Sequence, residues 1–312
     1  MLLGIGLNIA MLVELRTVNL RSRLTPWLLR NQVMFDGLAC CLTILILWVQ
    51  EIPTYDEVSG AIVCYLWDSQ SSFWTAIALS TCNLMCIAFD HLLATVYCVT
   101  YRIYQTRYIV GCCIANFTYT LLVVLLYLSC YTNGTFQTEV RPEYIIAFNM
   151  AKIHQVLLAV VYYLLPLVFL ITVHFRVIWH IKAYFRLPNA FAGPTTELSS
   201  TTTHESNCGS VGDEGDVHSR SVIKSLTVGT FCLITSMILA HSYDSFYYVF
   251  GPSLVYAYIV GSEEQLISLL IIASNCAVNP VILALSLPSM RKRIFTHMRM
   301  IKQHLGEFFH SC

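Results

Sequence analysis

Long apolar runs separated by short polar segments make up most of the chain. A helix needs about 20 apolar residues to cross ~30 Å of hydrocarbon at ~1.5 Å per residue. Six runs have that length, and a seventh, at the N-terminus, is shorter. The pattern predicts an all-α membrane protein, a seven-transmembrane helix bundle whose first helix is truncated at its N-terminus. The predicted helices, called spans 1 to 7 below, are residues 1–16, 26–50, 61–97, 109–130, 146–183, 221–249 and 264–286.

The composition supports a membrane protein and excludes an ordinary soluble domain. Hydrophobic residues make up 56% of the chain, charged residues make up 12%, and the mean hydropathy is +0.64. Soluble domains are about half apolar and about one quarter charged. One segment differs from the rest, because residues 187–219, between spans 5 and 6, are rich in Ser, Thr, Gly and acidic residues. That composition predicts a disordered loop.

The basic residues indicate the orientation of the bundle. Lys and Arg are retained in cytoplasmic loops, and here they follow spans 1, 3, 5 and 7. The other loops carry acidic residues and a glycosylation acceptor, Asn133 in Asn-Gly-Thr. We therefore predict a multi-pass protein of the plasma membrane with its N-terminus outside, a glycosylated Asn133, and residues 187–219 as the third cytoplasmic loop.

Most of the 13 cysteines lie within the predicted spans. A thiol in that environment behaves as a small apolar residue, so the cysteine count does not indicate a disulfide framework. Only Cys64 and Cys130 lie near the predicted outer surface. The two are a candidate disulfide pair, which would tie the top of span 3 to the top of span 4 or to the loop after it.

Several short polar and proline motifs occur within the predicted spans. Asn8 of span 1 and Asp36 of span 2 stand 28 residues apart (36 − 8). The other motifs are Asp90-His91-Leu92 at the inner end of span 3, Pro166 in span 5, and Asn275, Asn279 and Pro280 in SNCAVNPVILAL of span 7. In order and spacing, these motifs resemble those of the rhodopsin-like (class A) G-protein-coupled receptors. The likeness covers the whole chain and implies a single receptor domain over residues 1–312.

Two further segments extend this resemblance. Residues 288–303 are similar to the short amphipathic eighth helix of the family, which lies along the inner membrane surface. The segment 64–74 together with Asn83-Leu84 looks similar to divergent invertebrate peptide-type orphan receptors.

The resemblance implies a polar pocket in the middle of the membrane. A buried carboxylate such as Asp36 is costly there and persists only with polar partners or a bound ion. Family geometry places Ser80, Asn275 and Asn279 beside Asp36, and such an oxygen set suits a hard cation such as sodium. The alternative is a protonated Asp36 that is hydrogen-bonded to the same asparagines.

Two departures from the family concern its activation switch. His91 stands where the family has arginine, and histidine is shorter and titrates near pH ~6.5. The contact with a G protein is therefore weakened or made pH-dependent, and an Asp90 that faced His91 would favour the imidazolium. In span 6, His241 and Tyr243 replace the family's tryptophan and proline, so nothing forces a kink. The switch residues that the resemblance implies are Asp90, His91, Pro166, His241, Tyr243, Asn279 and Pro280.

The ligand is constrained by two replacements. Phe73 stands where amine receptors carry aspartate, and Ala273 stands where opsins carry the lysine that binds retinal. The outer ends of the spans offer aromatic side chains and two acids, which suit a basic or amphipathic peptide. Aromatic residues at span ends are also ordinary interface anchors. The candidate ligand residues are Trp67, Asp68, Phe73, Trp74, Asp244 and Tyr247.

Three functions follow as hypotheses. The first is a receptor for an extracellular ligand, a peptide, that signals through a heterotrimeric G protein. The second is a receptor-like binding or heteromer partner that no longer couples. The third, more distant, is a small transporter or proton pathway through Asp36, Asp90, His91, His174 and His241. The sequence has no Gly-rich phosphate loop and no metal-spaced His/Cys cluster. We therefore predict no enzymatic activity, no cofactor except a sodium ion, and membrane lipid but not nucleic acid as a partner.

Overall fold

The computed structural model describes residues 1–17, 22–49, 52, 53, 55–132, 153, 156–186, 213–250, 260–287, 290, 291, 293, 296 and 299. For residues 129–132, 184–186, 213–224 and 226 it describes the backbone only. All regular secondary structure in these residues is helical. Asn133 and the side chain of Cys130 lie outside the described residues, so the predicted glycosylation and disulfide stay predictions.

Each predicted span contains a helix. The bounds in chain order are Leu2–Thr17, Leu24–Trp48, Ser71–Val96, Cys98–Thr132, Leu165–Arg186, Asp213–Phe250 and Glu263–Ser286. Five described helices are long and apolar enough to cross a membrane, namely Leu24–Trp48, Ser71–Val96, Cys98–Leu128, Val156–Ala183 and Glu263–Ser286. The chain is a multi-pass membrane protein with an all-helical fold. The 16-residue helix of span 1 is about 24 Å long, which is less than the ~30 Å hydrocarbon core.

The predicted helix 61–97 is interrupted in the structure. Glu57–Val63 is a separate short helix that continues as a π-helical turn, Cys64–Asp68. The chain then breaks at Gln70, whose φ of 57° is left-handed, and the long helix begins at Ser71. The hydroxyls of Ser69 and Ser71 both donate to the carbonyl of Tyr65, at 2.5 and 2.6 Å. Such side-chain bonds compete with the helix ladder, which is why one continuous helix does not form.

Spans 4 and 6 are longer than predicted. The span 4 helix begins at Cys98 and is kinked at Tyr104, where φ is −108° and ψ is 22°. The span 6 helix begins at Asp213, so residues 213–219 are helical although they belong to the segment predicted as disordered. No proline occurs from 213 to 250, so nothing stops the helix in this stretch. Residues 187–212 lie outside the described residues.

The span 3 helix lies at the centre of the bundle. It packs against the helices of spans 2, 4, 5 and 6, and most of its side chains are buried. Apolar side chains around it form two clusters, one at each end of the bundle. Span 1 packs closely on span 7 because Gly4 has no side chain: a Cβ there would lie 2.5 Å from the Cβ of Ala277. After span 7, the described residues Met290, Arg291, Arg293, Thr296 and Arg299 are helical, within the segment predicted as the eighth helix.

A capping box begins the short helix Glu57–Val63. The Asp56 carboxylate accepts from the Ser59 amide at 3.2 Å, and the Ser59 hydroxyl accepts from the Asp56 amide at 3.3 Å. The Ser59 hydroxyl also donates to the Asp56 carboxylate. These bonds, first the one from the Ser59 side chain, lower the pKa of Asp56 below its ordinary value.

We expect Asp56→Ala to raise the hydrogen–deuterium exchange of residues 57–63 several-fold, because an exposed seven-residue helix depends on its cap. The carboxylate contribution is fully present above its unfolded pKa of about 3.9 and is lost as the pH falls through the lower folded value. Asp56→Asn is the matched control, since asparagine caps without titrating. Equal exchange in wild type and Asp56→Ala would show that the cap does not hold this helix.

Candidate functional site

A cluster of buried polar side chains lies where spans 2, 3 and 7 meet. The Asp36 carboxylate is 0% exposed. It accepts from the Ser80 hydroxyl at 2.6 Å and from the Asn279 amide at 2.9 Å. The Gln32 amide, which is also fully buried, donates to both Asp36 oxygens at 3.1 and 3.2 Å. Three neutral donors from three helices therefore satisfy this carboxylate.

Gln32 extends the cluster to a fifth side chain. Its oxygen accepts from the Asn83 amide at 2.9 Å, and Asn83 also donates to the carbonyl of Leu28 at 2.9 Å. Gln32 and Asp36 are four residues apart, and Ser80 and Asn83 are three apart, so each pair shares one helix face. The sequence prediction missed Gln32 and Asn83. The sequence does contain a signal for both, because each is a polar residue one helical turn away from a predicted pocket residue.

The predicted set is joined only in part. Ser80 and Asn279 donate hydrogen bonds to Asp36. Asn275 has no hydrogen bond to Asp36 among the described residues, and its Oδ1 atom is buried without a partner there. Asn8 serves a different purpose, since its amide donates to the carbonyls of Gly4 at 2.9 Å and Cys276 at 3.2 Å. This contact links span 1 to span 7 beside the cluster.

The cluster is arranged for a deprotonated carboxylate. Gln32, Ser80 and Asn279 all donate to Asp36, so hydrogens rather than oxygens face it. A cation at this place would need acceptor oxygens in their stead. The Oδ1 atom of Asn279 is buried and has no partner among the described residues, so a turn of that amide would supply one. Sodium binding at Asp36 therefore stays a prediction, since it needs this turn of the Asn279 amide.

A second feature is a small cavity between spans 3, 4, 5 and 6, on the side of the bundle opposite to the basic residues. Its volume is about 30 Å³. Four of its nine lining residues are aromatic. The ring centroid of Trp74 lies 5.9 Å from that of Tyr127 and 5.7 Å from that of Tyr162. The lining also includes Asp244 and Ser245. Trp74 Nε1 and Ser245 Oγ are buried without a hydrogen-bond partner among the described residues.

This cavity contains two of the six predicted ligand residues, Trp74 and Asp244. Phe73 is fully buried and packs edge-on against Trp74 at 5.4 Å. The Trp67 indole donates to the carbonyl of Val49 at 3.3 Å, and Asp68 is exposed. Neither these residues nor Tyr247 line the cavity. Helical position explains the difference, because neighbours such as Phe73 and Trp74 point about 100° apart around the helix axis.

The sequence prediction missed Tyr127 and Tyr162 in this cavity. Tyr162 lies four residues before Pro166, within a π-helical turn, Val160–Leu164, that precedes the span 5 helix. Its hydroxyl is hydrogen-bonded to His241 Nδ1 at 2.8 Å. A proline has no N–H and disturbs the helical turn before it. Pro166 is therefore the sequence signal for an irregular turn at residues 160–164. His241, a predicted switch residue, thus joins span 6 to span 5, whereas Tyr243 is 38% exposed.

The proline leaves a carbonyl without a backbone donor. The Leu165 amide donates to Val160, five residues back, and Pro166 has no amide to offer Val161. The Tyr119 hydroxyl of span 4 donates to the Val161 carbonyl at 3.2 Å instead. A side chain of one helix therefore completes the backbone of the next.

At the inner end of span 3, Asp90 and His91 have separate partners. Asp90 accepts from the Thr25 hydroxyl at 2.7 Å and from the Tyr101 hydroxyl. His91 Nε2 is hydrogen-bonded to the Thr227 hydroxyl of span 6 at 3.0 Å. The conditional expectation that Asp90 faces His91 and favours its imidazolium therefore does not apply. Both side chains are buried, and His91 connects the inner parts of spans 3 and 6.

Comparison with known proteins gives the fold but no family. No protein-family model and no curated protein matches the sequence. Among solved structures, the crystal structure of squid rhodopsin matches with a TM-score of 0.67 at 11% sequence identity, over 96% of this chain and 82% of that chain. The chain has a rhodopsin-like fold. At this identity the match concerns the fold alone, and it confirms the predicted rhodopsin-like fold.

The rhodopsin-like fold holds the polar contacts at three depths. The cavity with Tyr162 and His241 lies on the side away from the basic residues, the Asp36 cluster lies in the middle, and the His91–Thr227 bond lies on the basic side. Each contact joins different helices. A shift of span 6 therefore changes hydrogen bonds at the outer and inner depths, and a shift of span 3 changes them at the middle and inner depths.

Proposed function

We propose that this protein is a G-protein-coupled receptor that binds an extracellular ligand and signals through a heterotrimeric G protein. The observation that carries the proposal is the span 6 helix, which lines the outer cavity with Asp244 and bonds to His91 through Thr227. These two positions are 17 residues apart (244 − 227), or about 26 Å along a helix. One continuous element thus joins the cavity to the inner end of span 3.

The span 6 helix is suited to transmit a displacement. It contains no proline between 213 and 250, so it has no forced hinge and moves as one body. A ligand that enters beside Asp244 and Ser245 moves the outer part of this helix, and the inner part carries Thr227 away from His91. One neutral hydrogen bond contributes about 1 kcal/mol, so breaking it changes a two-state population about fivefold.

The ligand that this proposal favours is a peptide. The cavity of about 30 Å³ is far smaller than the ~300–1,000 Å³ typical of sites that enclose a small molecule. A peptide that inserts one group and leaves the rest outside the bundle fits that size. Asp244 favours a basic group, and the aromatic wall favours an apolar or cationic one. Ala273 has no amine, so a retinal Schiff base is not part of the proposal.

The orientation is also part of the proposal. The basic residues follow the spans at the end of the bundle that holds Asp90 and His91, which supports a cytoplasmic location for that end and an N-terminus outside. The proposed location is the plasma membrane.

Nucleotide exchange on a panel of heterotrimeric G proteins tests the proposal. We expect Thr227→Val to raise basal exchange about fivefold, because it removes the bond that holds spans 3 and 6 together at the inner end. Thr235→Val is the matched control, since among the described residues the Thr235 hydroxyl bonds only to the Phe231 carbonyl of its own helix. His91→Arg restores the residue of the family at this position and is measured beside them.

A second candidate is a receptor-like binding or heteromer partner that does not couple. His91 favours this candidate, because its imidazole is hydrogen-bonded to Thr227 and lacks the forked donors with which arginine would contact a G protein. Exchange above background in Thr227→Val or His91→Arg supports coupling. No exchange in wild type or either variant, with each protein displayed at the cell surface, contradicts coupling and selects the second candidate.

A further inference from the structure

A groove runs between spans 6 and 7 at the end of the bundle that carries the basic residues. Its volume is about 410 Å³, which lies within the ~300–1,000 Å³ range of ligand sites. Its walls include Val228 and Cys232 of span 6 and Leu285 of span 7, and Arg291 lies at its end. It is separate from the cavity beside Asp244.

The floor of the groove depends on small residues. Gly229 has no side chain, and it lies against Ser286. The Ser225 hydroxyl donates to the Ser286 carbonyl at 2.9 Å, and the Ser286 hydroxyl donates to the Ile282 carbonyl at 2.5 Å. The hydroxyls of the floor are therefore already satisfied, and the surface that remains for a ligand is largely apolar.

The groove faces outward from the bundle. Val228 is 55% exposed, Leu285 is 51% exposed, and Cys232 is exposed. On a membrane-spanning helix such side chains contact lipid. An occupant therefore reaches the groove from the bilayer and presents hydrocarbon to these walls.

Arg291 gives the groove one charged end. Its side chain has no hydrogen-bond or ion-pair partner among the residues that the structure describes. The neighbouring Arg293 differs, since it contacts Glu14 at 3.4 Å and the Thr17 hydroxyl at 2.6 Å. A guanidinium is matched in shape and charge to a phosphate, which it binds through paired N–H groups.

We propose that this groove binds an anionic phospholipid, with an acyl chain between spans 6 and 7 and the headgroup phosphate on Arg291. Such a lipid is complementary to the groove at both of its ends. Its acyl chain matches the apolar walls that open to the bilayer, and its headgroup matches Arg291, which has no partner among the described residues. The proposal concerns lipid and does not depend on ligand binding or G-protein coupling.

Cys232 serves as a natural reporter for occupancy. The full-length protein is placed in nanodiscs of phosphatidylcholine alone or mixed with phosphatidylglycerol of the same acyl chains, and N-ethylmaleimide labelling is followed by mass spectrometry. We expect phosphatidylglycerol to slow alkylation of Cys232 roughly threefold to tenfold, as occupancy removes the reactive fraction. Cys113 of span 4, which is also exposed, is the internal control and reacts equally in both discs.

Two variants identify the headgroup contact. Arg291→Gln is expected to reduce the preference for phosphatidylglycerol about fivefold, the effect of one cation near an anionic surface. Arg299→Gln removes the same charge from the same helical segment outside the groove and keeps the preference.

Several outcomes overturn the proposal. Equal rates at Cys232 in the two discs exclude recognition of the anionic headgroup, and this comparison needs no variant. Protection that survives Arg291→Gln excludes the assigned cation. Protection in phosphatidylcholine discs on addition of inorganic phosphate assigns the site to a free anion. Protection that appears only in discs that hold two copies of the protein assigns it to a second copy of the chain.

Discussion

Asp36→Ala is expected to lower the free energy of unfolding by about 3 kcal/mol, because it leaves the buried donors of Ser80 and Asn279 without their acceptor, at ~1–3 kcal/mol each. Gln32 loses its bonds to Asp36 but keeps its bond to the Ser80 hydroxyl oxygen at 2.7 Å. The measurement is a thermal melt of the purified protein in detergent, followed by tryptophan fluorescence. Asp68→Ala removes an exposed carboxylate and is the control, with an expected change within about 0.5 kcal/mol. Equal melting of Asp36→Ala and wild type would mean that the cluster contributes nothing to stability.

The same melts test the sodium proposal. A cation that binds only the folded state raises the melting temperature with its concentration. Sodium at Asp36 therefore stabilises wild type more than choline at equal ionic strength does, and Asp36→Ala removes that difference. A melting temperature of wild type that is the same in both salts would overturn the cation site while leaving the hydrogen-bonded cluster intact.

Gly229→Ala is the second change with a large expected effect. A Cβ at this position would lie 1.9 Å from Ser286 Oγ and 2.2 Å from Ser286 Cβ, so spans 6 and 7 must separate. Overpacking of this kind costs about 1–3 kcal/mol. We expect a lower melting temperature, and we expect Gly229→Ala combined with Ser286→Gly to recover most of the loss, because the second change removes both contacting atoms.

Gly111→Ala is the matched control for that experiment. Gly111 is also in a helix, but a Cβ there meets nothing within 4 Å. Alanine is favoured over glycine in a helix by about 0.5–1 kcal/mol, so this variant is expected to melt higher than wild type. A higher melting temperature for Gly229→Ala than for wild type would contradict the close packing of spans 6 and 7 at Gly229. Failure of Ser286→Gly to restore the melting temperature of Gly229→Ala would contradict it as well.

The sequence predicts the bundle well, because apolar length is what the bilayer selects. A helix lies in every predicted span, and Asp36, Ser80 and Asn279 meet as the resemblance implied. The break at Gln70 was not predictable from hydropathy, since it depends on serine hydroxyls that take the Tyr65 carbonyl. A window of apolar residues averages over such local competition.

The candidate site was harder to predict than the fold. Gln32 belongs to no motif, and Asn83 is part of a resemblance that says nothing about the Asp36 pocket. The importance of both residues depends on which helix faces meet. Adjacent residues such as Asp90 and His91 suggest a pair, but consecutive side chains on a helix point apart, and each here contacts a different element. Tyr162 enters the cavity through a π-helical turn, which shifts every residue in it relative to an α-helical register.

The bond from Tyr119 to the Val161 carbonyl has a consequence for biosynthesis. In hydrocarbon, a backbone carbonyl without a donor costs several kcal/mol, so span 5 alone in the bilayer carries a defect at the turn before Pro166. That defect disappears only when span 4 lies beside it, since Tyr119 supplies the hydroxyl. Translation runs from span 4 to span 5, so the donor leaves the ribosome before the acceptor that needs it.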